Sequence, residues 1–210
     1  MEALLRERAA IRLVIFDMDG VLDRYRLDER LERLAAATGK SAEAIHAAIW
    51  KSGFEDAADA GKFSADEYLA GFAARIGAPL SRPDWIAARR AAMHPNRDVL
   101  LLAERLKRRA AIAVLTNNGF LVKDAFDELF PELPPLFGEK LHVAAEFGAK
   151  KPDPEVYRRL VARHGVAPAN AMMIDDKPEN VEGAQAAGLA AYRFTGVDGL
   201  RREFQARGLV

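Results

Sequence analysis

Two aspartates one residue apart, Asp17 and Asp19, close the apolar stretch of "VIFDMDGVLDRY" (residues 14–25), and Asp23 follows shortly after. Carboxylates crowded at the end of a buried strand are unfavourable unless something compensates them. The candidates are a metal ion, a lysine from elsewhere in the chain, or bulk water. Other apolar runs also end in reactive groups: Thr116 and Asn117 after one, Asp175 and Asp176 after another, with Lys151 a few residues past a third. Taken singly, Asp, Asn and Thr are ordinary turn and helix-cap residues. Hydroxyl, amide, ammonium and carboxylate groups recurring at corresponding places are better explained by one shared site.

The elements that must position them are readable as strands and helices. Runs at 11–17, 110–116, 141–145, 170–176 and 189–194 are short and continuously apolar, as expected for strands covered on both faces. "PDPEVYRRLVARHG" predicts a helix with Asp153 as N-cap, Pro154 at its first position, an apolar face of Val156, Tyr157, Leu160 and Val161, and a stop at Gly165. "KPENVEGAQAAG" repeats the design with Pro178 and Gly188. Alternating strand and helix predicts an α/β fold: a Rossmann-like, parallel five-stranded sheet flanked by helices. Ligands of such sheets bind beyond the carboxyl ends of the strands, where the residues above fall.

Residues 18–109 separate the first two runs, where a crossover needs only about a dozen residues or more. An inserted domain is expected there. Leu27, Leu31, Leu34 and Ala35 share one helical face, as do Tyr68, Leu69, Phe72, Ala73 and Ile76, the second helix opened by a capping box from Ser64 to Glu67. The division is therefore 1–21 and 96–210 for the core and 22–95 for a small all-helical cap, with "HPNRD" (94–98) as the return hinge.

The four segments together resemble the haloacid dehalogenase-like (HAD) hydrolases. "FDMDGVL" is similar to that family's first motif, "LTNN" to its second, "KKPDPEVY" to its third and "MIDDKPENVEGAQAAG" to its fourth, in the family's order over residues 11–195. The resemblance implies Asp17 as a nucleophile that forms an aspartyl-phosphate. It implies Asp19 as the acid that protonates the leaving oxygen and the base that then activates water. Magnesium would be held by the carboxylates of Asp17 and Asp176 and the backbone carbonyl of Asp19, with Asp175 assisting indirectly. Lys151 would neutralise Asp17 and a phosphoryl oxygen, and Thr116 and Asn117 would hold the others. Many members carry an acid where this chain has Asn180, and Lys150, one place before the family's lysine, is expected on the solvated surface.

Within the family, Asp19 argues for phosphorus chemistry, because the dehalogenases lack the second aspartate. Phosphonatases use a cap lysine; Lys40, Lys51 and Lys62 are better read as surface residues. The leading reading is a magnesium-dependent phosphomonoesterase, with a phosphomutase as its enzymatic alternative. The cap resembles that of sugar-phosphate phosphatases and the amino-terminal phosphatase domain of epoxide hydrolases, which implies a small phosphorylated metabolite, a sugar phosphate among the options. Arg24, Tyr25 and Arg26 are either substrate-facing or a solvated hinge. A receiver-type phosphoacceptor domain would place its acid pair after the first strand, and a non-catalytic binding protein would not need every catalytic position filled.

Composition excludes other classes. The 210 residues carry 31 Lys plus Arg against 31 Asp plus Glu, so no global charge favours nucleic acid or an anionic membrane. The chain has no cysteine, which removes disulfides, thiolate metal sites and cysteine nucleophiles. The stretch 1–12 resembles neither a signal peptide nor a membrane span, and a cytoplasmic protein is expected. The Gly-Lys-Ser at 39–41 lacks the preceding glycine and strand of a phosphate loop and is expected to be a helix stop followed by an N-cap. His46, His94, His142 and His164 show no metal-ligand spacing, and Trp50 and Trp85 are expected to pack.

Overall fold

The computed structural model describes residues 10–210; the reading of the amino-terminal stretch therefore lies, for residues 1–9, outside the described residues. The described strands are β1 (Leu13–Phe16), β2 (Asp23–Tyr25), β3 (Met93–Pro95), β4 (Ala111–Thr116), β5 (Leu141–Val143), β6 (Ala171–Asp175) and β7 (Ala190–Arg193). The helices are α1 (Leu27–Thr38), α2 (Ala42–His46), α3 (Phe54–Asp59), α4 (Ala65–Ile76), α5 (Arg82–Ala91), α6 (Arg97–Leu106), α7 (Phe120–Lys123), α8 (Phe126–Leu129), α9 (Leu133–Phe137), α10 (Pro154–Arg163), α11 (Pro178–Ala186) and α12 (Val197–Ala206).

Five strands pair in the order β5-β4-β1-β6-β7, with every neighbour parallel. They coincide with the five apolar runs of the sequence. The first strand is central, with Leu13 opposite both Ala111 and Ala171 and Phe16 opposite both Val114 and Ile174. Successive side chains point to opposite faces, and both faces are buried. Val14 and Phe16 join one core layer with Leu102, Leu200 and Phe204, while Leu13 and Ile15 join another with Val156, Leu160 and Ala184. Phe16 meets Phe137 and Phe204 edge-on, with ring centroids 6.1 and 6.3 Å away. Burial of each such side chain contributes about 1.5–3 kcal/mol. This double-sided burial explains why the strands read as unbroken apolar runs.

Helices α1 to α5 fill the insertion between β1 and β4. Their core stacks Phe54 on Tyr68 at 5.4 Å and sets Trp85 edge-on to Tyr68 at 5.9 Å. Ser64 and Glu67 form the expected capping box, and Asp153 caps α10 through the Glu155 amide at 2.9 Å. Gly39 ends α1 in the left-handed region and Ser41 caps α2, so the Gly-Lys-Ser sequence is a helix stop and a helix start.

The stem of the insertion differs from the all-helical expectation. Strands β2 and β3 pair antiparallel, Asp23 opposite Pro95 and Tyr25 opposite Met93, and join the insertion to the core as a two-stranded ribbon. The return segment is therefore split: His94 and Pro95 belong to the ribbon, and Asn96 donates its backbone N–H to the Leu22 carbonyl at 2.8 Å before α6 begins. Three-residue strands carrying "DRY" and "MHP" have no apolar alternation to reveal them. No helix among the described residues is long and apolar enough to cross a membrane.

Candidate active site

The carboxyl ends of β1, β4 and β6 lie side by side, so their terminal polar groups converge by register alone. Lys151, on the loop before α10, completes the set. Its Nζ lies 2.7 Å from Asp17 Oδ2 and 2.6 Å from Asp175 Oδ2, with all three side chains buried. The loop is held by Asn117, whose side chain donates to the Lys151 carbonyl at 2.8 Å and accepts the Lys151 N–H at 2.9 Å. Asn117 thus positions the lysine through its amide group, a role that the sequence did not suggest. From the other side, α11 approaches so closely that a Cβ at Gly183 would run into the Pro152 carbonyl.

Charge in this cluster is balanced by proximity. Burial pushes the Asp17 carboxyl well above the usual range, opposed by the Lys151 ammonium and reinforced by Asp175. Burial pushes Asp175 the same way, but Lys151, Asn180 and the Lys177 amide hold it below the usual range. Burial alone would lower Lys151; its two carboxylates overcome this and raise it. Lys151 is therefore a stable cation between two acids.

The acidic edge has room for a cation. Oxygens of Asp17, Asp175 and Asp176 lie within 4.8 Å of one another. Those of Asp175 are already engaged: Oδ2 by Lys151, Oδ1 by the Lys177 amide at 3.0 Å and by Asn180 Nδ2 at 2.9 Å. Asp176 Oδ1 is buried and has no hydrogen-bond partner among the described residues. Gly20, at φ +93°, leaves the space beside that carboxylate, since a Cβ there would come within 2.6 Å of Asp176 Oδ2. Burial and the charge of Asp175 raise the Asp176 carboxyl, an arrangement that a hard divalent cation would relieve. Asp17 and Asp176 fit such an ion, whereas the Asp175 oxygens are taken by Lys151, Lys177 and Asn180.

Asp19 lies at the mouth of the cluster and meets a residue that sequence reasoning missed. Arg89, near the end of α5 and only 2% exposed, donates from Nη2 to Asp19 Oδ1 at 2.9 Å and Oδ2 at 2.6 Å. The same nitrogen reaches Asn118 Oδ1 at 3.2 Å, and the guanidinium lies 4.2 Å from the Tyr25 ring centroid. Asn118 was also missed; its Nδ2 donates to the buried Thr116 hydroxyl at 2.8 Å. The signal for Arg89 was its place on the face shared by Trp85 and Ile86, where a charge is out of keeping with its neighbours.

A cavity of about 560 Å³ opens beside these groups, lined among others by Asp19, Tyr25, Arg89, Lys151 and Asp176. Lys150 also lines it and, in keeping with a solvated position, forms a solvent-exposed ion pair with Asp56 of the insertion that bridges the two parts. Tyr25 faces the cavity, whereas Arg24 is exposed on the stem and Arg26 pairs with Asp28 in solvent. Trp85 packs as expected, while Trp50 also touches the cavity. Asp23 is fully buried, accepts the Gly20 N–H at 3.4 Å, and has its carboxyl pushed up to about 8 by burial and by Asp19. Away from the site, His142 and His164 meet through their Nε2 atoms at 3.0 Å despite their unpromising spacing.

Sheet order brings the acids and the lysine between them to one edge of the sheet. A sequence model of the haloacid dehalogenase-like hydrolases matches residues 11–188, and the chain belongs to that family. It is 30% identical over 192 residues to a phosphatase of Mycobacterium tuberculosis, covering 87% of each chain. It is 33% identical over 177 residues to the phosphoserine phosphatase of Thermus thermophilus, covering 75% of this chain and 65% of that one. Among solved structures, a HAD-family enzyme of Bacteroides thetaiotaomicron in complex with magnesium and inorganic phosphate superposes with a TM-score of 0.71 at 20% identity, over 88% of this chain and 94% of that one. The protein is an enzyme of the phosphatase-like branch of this family.

Proposed function

We propose that the protein is a magnesium-dependent phosphomonoesterase acting on a small phosphorylated metabolite through an aspartyl-phosphate on Asp17. The observation that carries this reading is Lys151, held between Asp17 and Asp175 while Asp176 keeps a buried oxygen without a partner among the described residues. A site so arranged neutralises its nucleophile on one side and leaves an anchoring point for a divalent ion on the other. Phosphoryl transfer depends mostly on such positioning and charge compensation.

In the first step an oxygen of Asp17 attacks phosphorus and the bond to the leaving oxygen breaks, with the proton for that oxygen supplied by Asp19. In the second, Asp19 takes a proton from water as the water oxygen attacks phosphorus; the bond from phosphorus to the Asp17 oxygen breaks, inorganic phosphate leaves and the Asp17 carboxylate is restored. Lys151 offsets charge on a phosphoryl oxygen, and the Thr116 hydroxyl with the Asn117 backbone amide holds the others. The bound magnesium would supply Lewis-acid polarisation of the phosphoryl group, held by Asp17, Asp176 and the Asp19 carbonyl. A sugar phosphate remains within the size that the cavity suits. Purified protein is expected to hydrolyse p-nitrophenyl phosphate with magnesium and to lose that activity as Asp17→Asn. Full activity in that variant would overturn the reading.

A further inference from the structure

Arg89 presents an unresolved demand on the substrate. The reaction requires Asp19 to turn its oxygens to the leaving group, yet both are gripped by one guanidinium nitrogen that is itself buried. Breaking that pair without replacement would strand a buried cation, which is strongly unfavourable. Whatever displaces Asp19 must therefore bring a negative charge to Arg89. Of the other cations lining the cavity, Lys150 pairs with Asp56 and Lys151 with Asp17 and Asp175, Arg30 binds Glu55 and the Tyr25 hydroxyl through Nη1, and Lys177 is exposed; none of them holds Asp19, so the charge that leaves with Asp19 has to be replaced at Arg89. Arg89 also retains a buried Nε without a partner among the described residues, so its donors are not exhausted by Asp19 and Asn118.

We propose that Arg89 selects substrates whose leaving group carries a carboxylate, which takes the guanidinium from Asp19 and frees Asp19 to face the scissile oxygen. A planar carboxylate matches the guanidinium fork with two parallel hydrogen bonds. A second phosphate brings more negative charge into a cavity already lined by Glu55, Asp56 and Asp59, whose acidity Arg30 and Lys150 offset only in part. The pair of Arg89 with Asp19 is thus a latch that the correct substrate opens. This inference rests on the phosphomonoesterase reading above and adds to it the class of leaving group.

The test compares three esters of similar size with magnesium: 3-phosphoglycerate, glycerol 3-phosphate and propane-1,3-diol bisphosphate. Each is measured as kcat/KM or, where turnover is too slow, as an inhibition constant against p-nitrophenyl phosphate. Wild-type protein is expected to favour 3-phosphoglycerate over glycerol 3-phosphate by about 10- to 100-fold, the worth of a charge-assisted hydrogen-bond pair. Arg89→Met is expected to bring that ratio close to one, and Arg89→Lys to leave it intermediate. Because both esters are measured on one preparation, the ratio is insensitive to the fraction of variant that folds. An equal fall for all three esters would place Arg89 on the phosphoryl group or in the fold alone and overturn the proposal. Preference for the bisphosphate would overturn the carboxylate assignment. Wild-type protein inert towards p-nitrophenyl phosphate would remove the phosphatase reading and this inference with it, whereas turnover with a ratio near one overturns the inference alone.

Discussion

Lys151 shows how much of the site depends on single atoms. Its ammonium touches two acids from different strands, and Asn117 fixes the backbone that carries it. Its neighbour Lys150 makes an ion pair with the insertion instead, so adjacent residues of one type serve separate ends. The proposed division of labour between Asp17 and Asp19 has a measurable consequence. Asp19→Asn is expected to slow an alkyl phosphate by about 100- to 10,000-fold and p-nitrophenyl phosphate markedly less, since its phenolate leaves without a proton. Parallel kcat/KM measurements on the two esters, which report leaving-group departure and not the later hydrolysis common to both, check this; equal losses in kcat/KM would contradict the acid role of Asp19. Asp17, Asp19, Thr116, Asp175 and Asp176 were visible in the sequence because they close apolar runs, and Lys151 because it stands directly before Pro152-Asp153-Pro154 in the family-like third motif. Arg89 and Asn118 were not, since an arginine in a helix is ordinarily solvated and only its burial beside the Tyr25 ring and its ion pair with Asp19 make it part of the site.

At the scale of elements, the distance between α11 and the Lys151 loop is set by a missing side chain. A Cβ at Gly183 would meet the Pro152 carbonyl, and no side-chain rotation can relieve a clash with backbone. Gly183→Ala is expected to shift the loop and lower kcat/KM on p-nitrophenyl phosphate by about 100-fold, the cost of roughly 1 Å of misplacement; unchanged kinetics would show that the loop absorbs the methyl group. A second element-scale effect concerns the end of α10, where His164 meets His142 of β5. Burial, with the charges of His142, Lys140 and Arg163, lowers the His164 pKa from 6.5 to about 4. Between those values the unfolded chain binds the proton and the folded one does not, so stability falls as pH drops through that window. Denaturant unfolding across it is expected to show this slope, and His164→Gln to flatten it. The helix boundaries were largely readable from caps and glycines. The three-residue strands of the stem were not, because they are held by pairing with each other and carry no periodicity.

For the whole molecule, one central strand dictates the rest. Residues buried on both faces of β1 fix the sheet, the sheet aligns the strand ends, and the insertion after β1 brings Arg89 and Asp56 across the cavity to Asp19 and Lys150. The fold was legible because continuous apolar strands alternating with capped helices admit few arrangements. What the cap recognises was not, since contacts between distant elements leave no local pattern. The proposed mechanism requires a covalent phosphoryl group at Asp17. Wild-type protein mixed with a turning-over phosphoester and magnesium, quenched in acid and mapped by peptide mass spectrometry, is expected to carry that group on Asp17, with none in the Asp17→Asn variant. A phosphoryl group on another residue, or turnover by Asp17→Asn at the wild-type rate, would contradict it.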